Sequence, residues 1–116
     1  MRHLKKGRKF GLKKGKRNAF LRILMHNLVM KGSVKTTEAR AKEIRPRLEK
    51  LVTLAKKNNL ASLRILMQRM PKTSAYKLFH ELAPRYQGRK GGYLRIRKTA
   101  SPRKRDSAPK AIIEFV

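Results

Sequence analysis

The sequence predicts a two-layer α/β domain, α+β-like in that a small mixed sheet carries helices on one face, preceded by a basic arm. Three observations predict it. Apolar residues recur at spacings of three and four from about residue 18 to residue 82, the period of buried helix faces. After Gly91-Gly92 the period changes to two, as in strands with one buried face. Residues 1–17 follow neither period and hold nine Lys or Arg with no acid.

The arm, residues 1–17, contains a short repeat: Leu4-Lys5-Lys6-Gly7-Arg8-Lys9 is followed by Leu12-Lys13-Lys14-Gly15-Lys16-Arg17. Ordering such a stretch costs roughly 15–35 kcal/mol of backbone entropy, at about 1–2 kcal/mol per residue. Burial of Leu4, Phe10 and Leu12 returns only several kcal/mol. The arm alone is expected to be disordered and to order on phosphate.

Residues 18–116 read as one domain. From Asn18 to about Lys31, Phe20, Leu21, Leu24, Met25 and Leu28 form an apolar face opposite Arg22 and His26, with Asn18 the expected N-cap and Gly32 the residue past the end. Residues 33–36 are β-prone and read as a brief strand. Thr37 then caps a second helix to about Lys57, with the stripe Ala41, Ile44, Leu48, Leu51, Val52 and Ala55. Glu38 with Lys42 and Glu43 with Arg47 are i, i+4 pairs, each contributing a few tenths of a kcal/mol. Pro46 removes one hydrogen bond but lies off the stripe, so it predicts a kink without a break. Asn58-Asn59 marks a turn. Leu63, Leu66, Met67 and Met70 outline a third helix stopped by Pro71. Thr73 or Ser74 caps a fourth, in which Ala75, Leu78, Phe79 and Leu82 share a face and Pro84 lies just beyond. Tyr93, Arg95 and Arg97 alternate with Leu94 and Ile96, and Ala111, Ile113 and Phe115 with Ile112, Glu114 and Val116. These are two antiparallel strands joined by a basic loop from about 99 to 109. The order is helix, strand, three helices, two strands.

Charge is the functional signal. The chain has 33 Lys or Arg against 6 Asp or Glu, a net charge of +27. An ordinary small domain carries a net charge of magnitude about 2–8. Crowded like charges destabilise a compact body, so the excess implies a polyanionic partner, nucleic acid first. The arm supplies Arg2, Lys5, Lys6, Arg8, Lys9, Lys13, Lys14, Lys16 and Arg17 as candidate contacts. A second acid-free block supplies Arg85, Arg89, Lys90, Arg95, Arg103, Lys104 and Arg105, with Arg97 and Lys98 in the same run. Arg22, on the polar side of the first helix, and Lys35, in the short strand, join them. Tyr86 and Tyr93 stand among these cations, where an aromatic ring either stacks on an unpaired base or packs on the sheet. Both readings remain open at this point.

Other classes find little support. His3, His26 and His80 are scattered without metal-ligand spacing, Ser107 beside Asp106 makes no triad with His80, and there is no P-loop. No cofactor or small-molecule substrate is implied. Cysteine is absent, which excludes disulfides and thiolate metal sites. The apolar run from Ala19 to Met30 is broken by Arg22, His26 and Asn27, too short to span a bilayer, so the chain reads as cytosolic and mature. A duplex-DNA architectural protein would share the charge, but the chain offers no recognisable DNA-reading motif or dimer seam. A membrane-surface protein would need an exposed apolar helix face, and the other stripes give the first helix something to pack on.

Several blocks, in order along essentially the whole chain, carry a family resemblance: Met1-Arg2-His3, Gly7-Arg8-Lys9, Val34-Lys35-Thr36-Thr37, Ala41-Lys42-Glu43-Ile44-Arg45 and Leu54-Ala55-Lys56. Most specific are Lys77-Leu78-Phe79-His80-Glu81-Leu82-Ala83-Pro84-Arg85-Tyr86 and Gly91-Gly92-Tyr93-Leu94-Arg95-Ile96, followed by Asp106-Ser107-Ala108-Pro109 and Ala111-Ile112-Ile113-Glu114. The chain resembles bacterial large-subunit ribosomal protein seventeen. The resemblance implies a non-catalytic constituent of the large ribosomal subunit in the cytoplasm, one copy per subunit, binding 23S ribosomal RNA beside neighbouring ribosomal proteins near the exit of the nascent-chain tunnel. It implies a two-layer α/β fold, no membrane partner, and RNA around Arg2, His3, Arg8, Lys9 and the stretch from Arg85 to Arg95. The chain departs from the family pattern in a more basic second half of the arm and in the earlier position of Pro46.

Overall fold

In a computed structural model of the protein, which describes residues 3–116, the chain runs through α1 (Lys14–Lys31), β1 (Ser33–Thr37), α2 (Glu38–Ala55), α3 (Leu60–Arg69), α4 (Lys72–Lys77), β2 (Leu94–Lys98) and β3 (Lys110–Phe115). After α4 the backbone stays helical through a π-helical turn, Leu78–Leu82, and a 3-10 turn, Ala83–Tyr86. The element order is the expected one. Met1 and Arg2 lie outside the described residues, and the expectation for Arg2 lies there with them.

Capping chemistry accounts for most boundaries. The Thr37 hydroxyl accepts the Arg40 N–H at 3.4 Å, and Glu38 and Glu43 pair one turn on with Lys42 at 2.8 Å and Arg47 at 3.3 Å. α2 passes Pro46 unbroken. Gly32 ends α1 in the left-handed region at φ 82°, its N–H on the Leu28 carbonyl at 2.8 Å. The Asn59 side chain caps α3 by accepting the Ser62 N–H at 2.8 Å. Two starts differ from expectation. α1 begins at Lys14 and not after Asn18, without a side-chain cap; the Arg17 guanidinium instead reaches back to the Leu12 carbonyl at 3.2 Å. α4 begins at Lys72, directly after Pro71, and Ser74 is buried inside the helix with its hydroxyl on the Pro71 carbonyl at 2.9 Å.

β3 lies between β1 and β2 and is antiparallel to both. The sheet is therefore antiparallel throughout, a correction to the mixed sheet expected. The helical crossover sets β1 and β2 running the same way, but β3 separates them and every ladder runs through it. Val34, Ile113 and Ile96 align in one row, and Leu94 faces Phe115. α2 packs against all three strands on this inner face, with α1, α3 and the π-helical turn against its other sides. Leu21, Leu28, Ile44, Leu48, Val52, Leu66, Met70, Leu78, Leu94 and Ile113 close the core between them.

Ile44 is fully buried and Ile23 is 57% exposed. Ile44→Ala is expected to cost about 2–5 kcal/mol in urea unfolding, as for other core truncations. Ile23→Ala should stay below about 1 kcal/mol, and equal losses at the two positions would contradict the core assignment.

Candidate nucleic-acid interface

The register that turns Val34, Ile113 and Ile96 inward turns a basic set outward. Ser33, Glu114 and Arg95 form one outer row, Lys35, Ile112 and Arg97 the next, and Thr37 with Lys110 the third. A single carboxylate, Glu114, sits in this face and draws in both arginines, Arg95 at 2.7 Å and Arg97 at 2.8 Å. The hydrogen bonds from Arg95 and then Arg97 hold Glu114 below the ordinary carboxylate range. Lys35 and Lys110 are in no ion pair among the described residues.

The β2–β3 loop is internally organised. The Thr99 N–H meets the Lys110 carbonyl at 3.1 Å, the Arg103 N–H meets the Ala108 carbonyl at 3.0 Å, and Asp106 accepts from Arg103 Nε at 2.8 Å and the Ala108 N–H at 3.2 Å. Arg103 is thereby spent on its own loop, and pushes Asp106 well below the usual carboxylate range. Lys104 and Arg105 remain exposed at the tip. Arg103 also reaches toward β1: with Lys35, Arg40 and Lys110 it walls a cleft of about 310 Å3 beside the start of α2.

In the arm, His3, Lys5, Lys6, Arg8, Lys9 and Lys13 are exposed. Two contacts lay it on the domain. Arg8 meets Glu43 at 3.4 Å, and Phe10 stands edge-on to Phe20 with ring centres 5.8 Å apart. Lys5, Lys6, Lys9, Arg17 and Arg47 wall a hollow of about 330 Å3. Because α1 begins early, Lys14, Lys16 and Arg17 occupy its first turn, where no acid is present. Cations at the positive end of a helix dipole are unfavourable until an anion joins them.

The segment after the 3-10 turn divides differently from expectation. Arg85, Arg89 and Lys90 are exposed. Tyr86 and Tyr93 are only 5% and 1% exposed, so the base-stacking reading of both is corrected: neither ring has a free face. Tyr86 lies 5.4 Å from Tyr93 and stacks with Phe115, and its hydroxyl donates to the Val116 carbonyl at 2.8 Å. Burial pushes its ionisation up. The Tyr93 hydroxyl accepts from Lys56 Nζ at 3.0 Å, which lowers its ionisation, and the same ammonium holds the Arg89 carbonyl. Gln87 adds a bond to the Lys56 carbonyl at 3.3 Å. Lys56 thus pins the loop that presents Arg89 and Lys90.

Arg22 is exposed on α1. Arg40 and Lys110 were not singled out as contacts, and Arg97 and Lys98 only as part of the basic run, yet all four stand in or beside the basic faces. Alternation with Ile112 and Glu114 was the signal that places Lys110 outward; Arg40 had none, since it comes to the cleft only through packing. Among the described residues no cluster of His, Cys, Asp or Glu has the make-up of a metal site, and no helix is long and apolar enough to cross a membrane.

A small α/β fold whose exposed faces are cationic and whose carboxylates are nearly all engaged defines a class, the basic binding module. Residues 20–116 match the family model described as Ribosomal protein L17. The chain is 47% identical to large ribosomal subunit protein bL17 of Maridesulfovibrio salexigens, over 99% of this chain and 82% of that one. It is 49% identical to bL17 of Sphingopyxis alaskensis over 100% and 84%, and 44% identical to bL17 of Hydrogenobaculum sp. over 100% and 99%. The chain belongs to the ribosomal protein L17 family.

Glu114, Glu38 and Asp106 all titrate below their ordinary values, Glu38 chiefly through Lys42. The unfolded chain therefore binds protons first as pH falls, and the contribution of these pairs, complete above about pH 5, is lost from the ordinary carboxylate range downward. At low ionic strength the thermal midpoint should be flat from about pH 7 to 5 and then drop, with a smaller drop in Glu114→Gln. A midpoint indifferent to pH down to about 3 would dismiss these pairs. Lys56→Met should leave the fold intact but speed amide exchange at Arg89 to Gly92 at least several-fold; unchanged protection would mean that Lys56 does not pin the loop.

Proposed function

We propose that the protein is a structural constituent of the large ribosomal subunit that binds 23S ribosomal RNA, with residues 1–17 as its principal RNA-binding segment and residues 18–116 as the domain that carries it. It has no catalytic role, as befits its family. The observation that carries the RNA reading is the crowding of Lys14, Lys16 and Arg17 on the acid-free first turn of α1, beside the exposed lysines of the arm. The outer sheet face around Lys35 and Lys110, the tip at Lys104 and Arg105, and Arg85, Arg89 and Lys90 add further phosphate contacts. Arg8, Arg95 and Arg103, already held by carboxylates, orient the surfaces on which their neighbours bind. The family resemblance supports a position near the exit of the nascent-chain tunnel, one copy per subunit, next to other large-subunit proteins in the cytoplasm.

Sedimentation of a tagged copy through a sucrose gradient after a high-salt wash tests the assignment: an integral constituent travels with the large subunit, whereas a peripheral one is stripped to the light fractions. Each phosphate neutralised lowers the logarithm of affinity by roughly 0.7–0.9 per tenfold rise in salt. Replacing Lys5, Lys6, Lys9 and Lys13 by Gln should therefore flatten the salt dependence of binding to 23S RNA by about three and impair incorporation into subunits, with the fold unchanged. Undiminished incorporation would show the arm to be dispensable.

A further inference from the structure

Between α1, α2 and α3 the surface dips into a cleft of about 430 Å3. Arg22 from α1, Arg47 and Lys50 from α2 and Arg69 from α3 converge on it, over a floor that includes Leu21 and Leu51. Arg47 has a carboxylate partner, Glu43 at 3.3 Å; Arg22, Lys50 and Arg69 have none among the described residues. Helix packing does not require this convergence. The three free side chains are exposed, and crowding cations onto three facing helices raises the energy of the folded chain unless an anion enters.

The cleft also adjoins the arm. Arg47 lines both this cleft and the neighbouring hollow walled by Lys5, Lys6, Lys9 and Arg17. Basic side chains thus line both hollows, with Arg47, paired to Glu43, at the point where the two meet. A polyanion with a charge at every unit matches such a lining along its length, whereas an acidic loop of a neighbouring protein would need only one of the two hollows.

We propose that an RNA strand bound along the arm continues over Arg47 into the cleft between α1, α2 and α3, where Arg22, Lys50 and Arg69 seat its phosphates and the Gln68 amide faces its sugar or base edge. The site rests on the RNA-binding reading and adds to it a further RNA surface, on helices otherwise occupied with the core.

The test is the salt dependence of full-length protein binding to 23S RNA. Arg22→Gln, Lys50→Gln and Arg69→Gln combined should flatten the logarithmic slope by about two to three, at roughly 0.7–0.9 per lost phosphate contact. Lys57→Gln, Arg64→Gln and Lys72→Gln combined, three cations off the cleft, should change it by less than about one. Equal effects of the two triples, or an unchanged slope in the first, would overturn the cleft while leaving the arm's role intact. A wild-type slope near zero would remove both readings together. Should the first triple fail to fold, Gln68→Glu, a single change at an exposed position, still places a repelling carboxylate in the cleft and should weaken binding several-fold. A photocrosslinker at position 68 in assembled subunits should join RNA; crosslinking to protein alone would assign the cleft to an acidic neighbour and overturn the proposal.

Discussion

Ala41, Ile44, Leu48, Leu51, Val52 and Ala55 are almost wholly removed from water along one side of α2, and each strand, α1, α3 and the turns after α4 all pack on that helix. Burial of each large side chain in this stripe favours folding by about 1.5–3 kcal/mol. Because the stripe occupies the inner face of the sheet, the opposite residues of the strands must face outward, and because α1 and α3 flank the same helix, their polar sides meet at the surface. The cationic faces are therefore not placed independently; each is the reverse side of a contact made with α2.

The few carboxylates work as positioning groups within that scaffold. Glu43 connects Arg8 of the arm to Arg47, Glu38 connects Lys42 to Lys98 across to β2, and Glu114 gathers Arg95 and Arg97. Ion pairs in contact with water contribute little to stability, and only Glu43 among these carboxylates is itself buried. Their value lies in geometry: they set the direction of a cation on one element from a carboxylate on another, and they leave most of the positive charge unopposed. Glu81 alone takes part in no such pair among the described residues.

What was legible in the sequence was local. The Thr37 cap, the Gly32 terminus, the Glu38–Lys42 and Glu43–Arg47 pairs and the alternation in the strands each depend on residues within four positions of one another, and each forms as expected. The start of α1 was missed because a cap is the usual signal and Lys14 has none. The strand order was missed because pairing β3 between β1 and β2 is a non-local choice. Which of the two readings of Tyr93 held was not legible: it shares the parity of the exposed Arg95, yet it precedes the first residue of β2 and is buried. The expectation of a polyanionic partner rested on charge alone; the cleft shared by Arg22, Lys50 and Arg69 was not legible, since those residues belong to three helices and meet only through packing.

The placement of β3 also bears on the order in which the molecule can take shape during synthesis. Its partner positions on β1 precede it by more than seventy residues, Thr37 facing Lys110 and Ser33 facing Glu114. At translation rates of about 5–20 residues per second, the segment that completes the sheet follows β1 after roughly 4–16 s. For that interval β1 has no ladder partner and α2 lacks part of its cover, while the arm and the first turn of α1 have already been made. A polyanion can thus engage the basic segment before the core is sealed, which makes the timing of sheet closure, as well as its geometry, a property of the strand order.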